Sequence, residues 1–154
     1  MKILMVCLGN ICRSPLAEGI MKKKIQEHHL NWKVDSAGTA AWHAGEKPDS
    51  RSIKVAQKNN IDILNQRGRQ FQARDLDDFD LVLTMDATNY QNVRYLTTSS
   101  EQENKIHLIM NFVNPGLNQQ VPDPYITDGF ESVFEMLELA CNKIIEKYKW
   151  DIPR

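Results

Sequence analysis

Residues 3–8, Ile-Leu-Met-Val-Cys-Leu, form a continuous apolar run rather than an alternating one. A strand covered on both faces reads this way, and such strands belong to parallel sheets flanked by helices. Gly9-Asn10 breaks the run, and Ser14-Pro15 then offers a helix start, with Ser as cap and Pro at the first helical position. Leu16, Ala17, Ile20, Met21 and Ile25 follow at helical spacing, so the opening segment predicts strand, tight loop, helix.

The alternation continues along the chain. Strands are predicted over 34–37, 81–84 and 106–109, and helices over about 49–59 and 87–96. A last helix is predicted to open with Asp128 and Glu131 at capping-box spacing, with Val133, Leu137, Ala140, Ile144 and Tyr148 then repeating every three or four residues. Four strands separated by helices imply an open α/β domain with right-handed crossovers. Ligands bind such sheets beyond the carboxyl ends of the strands, where the loop from Gly9 to Arg13 falls. No repeat or linker interrupts the pattern, and 154 residues suit one domain over 1–154.

Composition narrows the class of function. Hydrophobic residues make up 42% and charged residues 25%, the balance of an ordinary soluble globular protein. Nineteen Lys and Arg against 20 Asp and Glu leave a net charge of -1, so no global basic field exists for a nucleic acid or an anionic membrane. Any anion site must be local. Three cysteines are too few for a disulfide framework, and a reducing, cytoplasmic setting is expected. Lys2 precedes the apolar run, but that run is shorter than the roughly 7–15 residues of a signal-peptide core, and no stretch is long enough to span a bilayer. Lys22-Lys23-Lys24 reads as the solvated face of the first helix.

Several chemical signatures are absent. The sequence has no dinucleotide-binding glycine fingerprint, no Gly-Lys-Ser/Thr phosphate loop, no Cys-x-x-Cys and no His-Glu-x-x-His. His28 and His29, adjacent near a helix end, point about 100° apart and do not suit a shared metal. The informative segment is Cys7-Leu8-Gly9-Asn10-Ile11-Cys12-Arg13-Ser14-Pro15. Cys and Arg with five residues between them are a weak signal as spacing alone, and gain weight from lying at a strand-to-helix turn. Backbone N–H groups of such a loop, with the positive end of the helix dipole, make a phosphate cradle. Gly9 and Asn10 tolerate the left-handed dihedrals it requires. Arg13 can grip two phosphate oxygens, and Cys7 at the base faces the phosphorus, its thiolate supported by the same amides and the Ser14 hydroxyl. The plainer reading makes Cys7 a buried strand residue. A thiolate attacking a phosphate monoester also needs an acid to protonate the departing oxygen. Asp123, between Pro122 and Pro124, is the candidate, although Pro-Asp-Pro by itself reads first as an ordinary turn.

These residues resemble the low-molecular-weight protein tyrosine phosphatases. The segment Val6 to Pro15 is similar to that family's phosphate-binding loop, and Asp123-Pro124-Tyr125 to its general-acid loop. Val34-Asp35-Ser36-Ala37-Gly38-Thr39, Arg69-Gln70, and Phe79-Asp80 through Met85-Asp86 extend the likeness over nearly the whole chain. The resemblance implies a four-stranded parallel sheet with helices on both faces and a phosphate-binding loop after the first strand. It implies hydrolysis of phosphotyrosine in protein substrates by a monomer that uses no metal or cofactor. By the same resemblance Cys7 is the nucleophile, Arg13 binds the phosphoryl group, and Asp123 is acid and then base. Leu8, Gly9, Asn10, Ile11, Cys12 and Ser14 form the substrate-binding loop, which Asn10, Ser14 and Ser36 hold in shape. Trp42 and Tyr125 are the aromatic walls of the cleft, and Cys12 is a redox partner for Cys7; Cys141, by its own place on the apolar side of the last helix, reads as a packing residue. Where many members carry a His before Arg69-Gln70, this chain has Asn65-Gln66.

Three rivals differ in chemistry. Thioredoxin-coupled arsenate reductases on this scaffold need further cysteines in mid-chain, and none lies between Cys12 and Cys141. Phosphoarginine phosphatases resemble this loop but carry Thr where Ile11 stands. A non-catalytic phosphate-binding module would have no need of Cys7 and Asp123.

Overall fold

The computed structural model describes residues 1–151; residues 152–154 of the expected domain lie outside the described residues. Strands β1 (Lys2–Cys7), β2 (Lys33–Gly38), β3 (Leu81–Thr84) and β4 (Ile106–Leu108) form one sheet in the order β2-β1-β3-β4. All three pairings are parallel, with Met5 opposite Ser36 on one side and Leu83 on the other. The expected fold class is the one observed. Helices α1 (Arg13–Glu27), α2 (Ser50–Lys58), α3 (Asp75–Asp78), α4 (Ala87–Tyr95), α5 (Ser100–Glu103), α6 (Pro124–Thr127) and α7 (Phe130–Tyr148) make up the rest of the regular structure, with 3₁₀ turns at Ile109–Phe112 and Lys149–Asp151.

The uninterrupted apolar run of β1 follows from its central place. Ile3, Met5 and Cys7 enter one core with α1, α2 and α7, while Leu4 and Val6 enter a second with Phe71, Leu76, Phe79 and Val93. Both faces of the strand are therefore dry. Strand order reverses at β1, since β2 lies on one side of it and β3 on the other, and this opens the crevice in which α/β sheets bind ligands. Cys141 is fully buried on α7, its thiol directed at the Ala17 carbonyl and pushed up to about 12 by burial. Among the described residues, no helix is long and apolar enough to cross a membrane.

Three local expectations need correction. Ser14 does not cap α1: the cap position is Cys12, Ser14 lies inside the first turn, and Pro15 follows it rather than opening the helix. The Ser14 hydroxyl is taken by other partners described below. Asp128 and Glu131 form no capping box, because Gly129 is the residue before α7 and makes no side-chain cap. Asp128 instead ends α6 in a left-handed conformation, and Glu131 pairs with Lys58 at 2.8 Å. The strand expected over 106–109 stops at Leu108, since Ile109 begins the 3₁₀ turn.

Candidate active site

The loop between β1 and α1 is fixed by its carbonyls. The oxygens of Cys7, Leu8, Ile11 and Cys12 accept hydrogen bonds from the backbone N–H groups of Thr39, Ala40, Asp49 and Leu16 at 2.8–3.3 Å. In a trans peptide the N–H lies opposite the C=O, so anchoring the carbonyls outward turns the loop's amides toward its interior. Asn10 takes the left-handed conformation, with φ 58°. Gly9, expected to do the same, does not: its missing side chain answers crowding, because a Cβ there would stand 3.0 Å from His43 Cδ2.

Cys7, the last residue of β1, is 3% exposed, and its Sγ lies 3.0 Å from Ser14 Oγ. Arg13, the first residue of α1, is 2% exposed. Its Nη1 donates to Asp86 Oδ2 at 2.7 Å and to the Val121 carbonyl at 2.9 Å, and its Nη2 stands 3.9 Å from Asp123 Oδ2. A buried guanidinium is held this way because leaving it unpaired would cost several kcal/mol. Asp86 caps α4 through Asn89 N–H with one oxygen and holds Arg13 with the other. The sequence signals Asp86 only through its place two residues past β3, beyond the carboxyl end of the strand beside β1.

Asp123 caps the four-residue helix α6, accepting from Tyr125 N–H at 3.0 Å. The preceding Val121 N–H is tied to the Met85 carbonyl at 2.8 Å, which secures the loop to the end of β3. Asp123 thus sits in a turn, as Pro-Asp-Pro by itself suggests, and also lies near Arg13 at the cavity.

One cavity of about 250 Å³ brings these groups together. Cys7, Cys12 and Arg13 contribute from the loop with Leu8, Gly9 and Ile11, and Asp123, His43, Trp42, Tyr125 and Ile126 complete the wall. Trp42 is 73% exposed, so it is no core residue. A hollow of about 400 Å³ bordered by His107 and Phe112 contains none of the predicted site residues. Ile126 and His43 were not anticipated; His43 Nδ1 is 2.7 Å from Glu46 Oε2.

Asn10, Ser14 and Ser36 also meet. Asn10 Nδ2 donates to Ser14 Oγ at 2.8 Å and to Ser36 Oγ at 2.9 Å, and Asn10 Oδ1 accepts the Arg69 N–H at 3.0 Å. Gln66 donates to the Pro15 carbonyl at 3.1 Å and so braces the first turn of α1. The Cys12 thiol is pushed up to about 12, chiefly by burial and then by Asp49, Cys7 and Asp123, and therefore stays protonated at neutral pH.

Comparison with known proteins places this geometry in context. The family model for low molecular weight phosphotyrosine protein phosphatase matches residues 2–153. The chain is 37% identical to the low molecular weight protein-tyrosine-phosphatase PtpA of Staphylococcus epidermidis, over 94% of this chain and 91% of that one. Its fold matches a crystal structure of protein tyrosine phosphatase from Entamoeba histolytica with TM-score 0.90 and 39% identity, covering 98% of both chains. It also matches the drosophila arginine phosphatase DARP with TM-score 0.90 and 30% identity, over 99% of this chain and 100% of that one.

Proposed function

Because the chain belongs to the low molecular weight phosphotyrosine protein phosphatase family, we propose that it hydrolyses phosphotyrosine in proteins, and small aryl phosphates, through a cysteinyl-phosphate on Cys7. The convergence of Cys7, Arg13 and Asp123 in one aromatic-rimmed cavity carries this reading. The Cys7 thiolate attacks phosphorus in line with the ester oxygen. Arg13 and the loop amides hold the equatorial phosphoryl oxygens, where charge gathers in the transition state. Asp123 gives its proton to the departing phenolate oxygen as the P–O bond breaks. In the second half, the Asp123 carboxylate takes a proton from water, whose oxygen attacks the phosphocysteine; inorganic phosphate leaves and the thiolate is restored.

Position within the cavity supports the choice of ester. Cys7 is almost wholly buried while Trp42 and Tyr125 stand exposed at the mouth, so an aryl ring spans the gap between a protein surface and the sulfur. Ile11 and Ile126 add apolar surface suited to a phenyl ring rather than to a guanidinium, which favours an aryl phosphate over phosphoarginine. Cys12 acts as the resolving thiol when peroxide converts Cys7 to a sulfenic acid, closing a disulfide with loss of water. We place the chain in the cytoplasm, as a monomeric single domain over 1–154. Three buried, unpaired cysteines and a near-neutral charge support that setting.

Turnover of phenyl phosphate, a nitrophenyl analogue, phosphoarginine and arsenate by one preparation tests the assignment. The aryl phosphates should dominate, and preferential turnover of phosphoarginine contradicts it. Phenolate leaves with a conjugate-acid pKa near 10, so Asp123→Ala should slow phosphorylation of Cys7 far more for phenyl than for nitrophenyl phosphate. The same variant should lose the alkaline limb of kcat/KM.

A further inference from the structure

The hydrogen bonds around Asn10 extend past the loop to a carboxylate with no part in the mechanism above. Ser36 Oγ–H donates to Glu18 Oε1 at 2.6 Å, and Lys22 Nζ stands 3.0 Å from Glu18 Oε2. Glu18 lies one turn beyond Ser14 on α1 and is only 4% exposed. A continuous chain therefore runs from Glu18 through Ser36, Asn10 and Ser14 to the Cys7 sulfur.

The direction of that chain can be deduced. At one end the Arg69 N–H is an obligate donor, so the atom of Asn10 facing it is the carbonyl oxygen and the NH₂ faces the two serines. At the other end an ionised carboxylate is an obligate acceptor, so the Ser36 hydrogen points to Glu18 and the Ser36 oxygen is free to accept from Asn10. The second Asn10 hydrogen goes to Ser14 Oγ. Ser14 then has its own hydrogen left for Cys7. Resting on the phosphatase reading above, we infer that Glu18 is a positioning residue: by taking the Ser36 hydrogen it leaves Ser36 Oγ an acceptor for Asn10, and so reinforces the direction, set by the Arg69 N–H, in which the Ser14 hydroxyl donates to the Cys7 sulfur.

Charge around Glu18 is consistent with this task. Burial pushes its carboxyl up, while the bonds from Ser36 and Lys22 and the Lys22 charge pull it back toward the ionised form; Asp35 opposes them. Asp62 and Arg67, which border the same polar hollow as Glu18 and Lys22, complete the charged groups there. Around Cys7 the charged groups are Arg13, Asp123, and Asp86 bonded to Arg13. Replacing Glu18 by Gln keeps its shape but offers Ser36 an NH₂, since the amide oxygen is drawn to the Lys22 ammonium. Ser36 would then face two donors, its own hydrogen would lose its acceptor, and the bond that holds Asn10 and through it Ser14 would weaken.

The test reads the thiolate directly, through the pH dependence of the rate at which iodoacetamide alkylates Cys7, and needs no phosphatase turnover. In Glu18→Gln the midpoint should move up by about one pH unit, with roughly tenfold slower alkylation on its acid side. In a Ser36→Ala background the same substitution should add nothing, because the chain is already cut. A profile unchanged from wild type overturns the proposal, and so does a shift that persists undiminished without the Ser36 hydroxyl. If Glu18→Gln does not fold, Lys22→Gln at an exposed position leaves the carboxylate in place but protonates it at higher pH. Alkylation should then fall off earlier on acidification, and an unmoved profile again overturns the proposal. An enzyme inert toward aryl phosphates that still shows the alkylation shift would refute the assigned substrate and leave the role of Glu18 standing.

Discussion

Cys7 and Cys12 share one loop, yet their surroundings separate them. Burial, and then Asp49, Cys7 and Asp123, push the Cys12 thiol up to about 12, whereas the Cys7 sulfur lies 3.0 Å from the Ser14 hydroxyl. A thiol that is neutral at rest does not compete for the phosphoryl group, but it can attack a sulfenic acid formed beside it. Mild peroxide should thus inactivate the wild type in a form that thiol reductants reverse. Cys12→Ser should recover several-fold less activity after the same exposure, because Cys7 proceeds to sulfinic acid. Recovery assays with dithiothreitol read this, and equal recovery of the two proteins removes Cys12 from a protective role.

At the level of elements, the site depends on how closely β2 approaches the phosphate loop. A Cβ on Gly38 would stand 2.8 Å from the Leu8 carbonyl oxygen and 3.0 Å from the Asn10 nitrogen, so β2 and the loop pack backbone to backbone. Gly38→Ala should destabilise the protein by about 1–3 kcal/mol, as overpacking does. It should lower kcat/KM by more than that loss of stability accounts for, because the loop itself is displaced. Urea midpoints and steady-state kinetics on one preparation separate the two effects. The same elements show what the sequence could reveal. Strand β1 was legible because both its faces are apolar, and the loop was legible because Cys7, Arg13 and Ser14 are nearly contiguous. The partners of Arg13 were not, since Asp86 and Val121 reach it from 73 and 108 residues away, and no local pattern encodes that contact. Ser14 misled for a related reason: a serine before a helix reads as a cap, but here its hydroxyl serves Cys7 and Asn10.

For the molecule as a whole, half-buried His107 and buried Glu18 set opposing pH dependences. His107 on β4 has its imidazole pushed down, first by burial and then by Lys147, while it packs edge-on against Phe112 at 5.5 Å. The unfolded chain binds that proton more readily, so stability is full above the ordinary histidine value near 6.5 and is lost as pH falls from there toward the folded value. Glu18 acts the other way: its raised carboxyl makes stability fall as pH rises from its ordinary value of 4.5 to the folded one. His107→Gln should therefore flatten the decline in Tm just below pH 6.5 without altering the dependence near pH 4.5, as calorimetry across that range would record. The central claim, a phosphoryl group carried on Cys7, is tested most directly by the mass of the intact protein after rapid acid quench during turnover of an aryl phosphate. The account predicts a species heavier by one phosphoryl group, with the group on the Cys7 sulfur after digestion, and none in Cys7→Ser, whose loop still binds oxyanions. A phosphoryl group found on another residue, or steady turnover by Cys7→Ser, would contradict it.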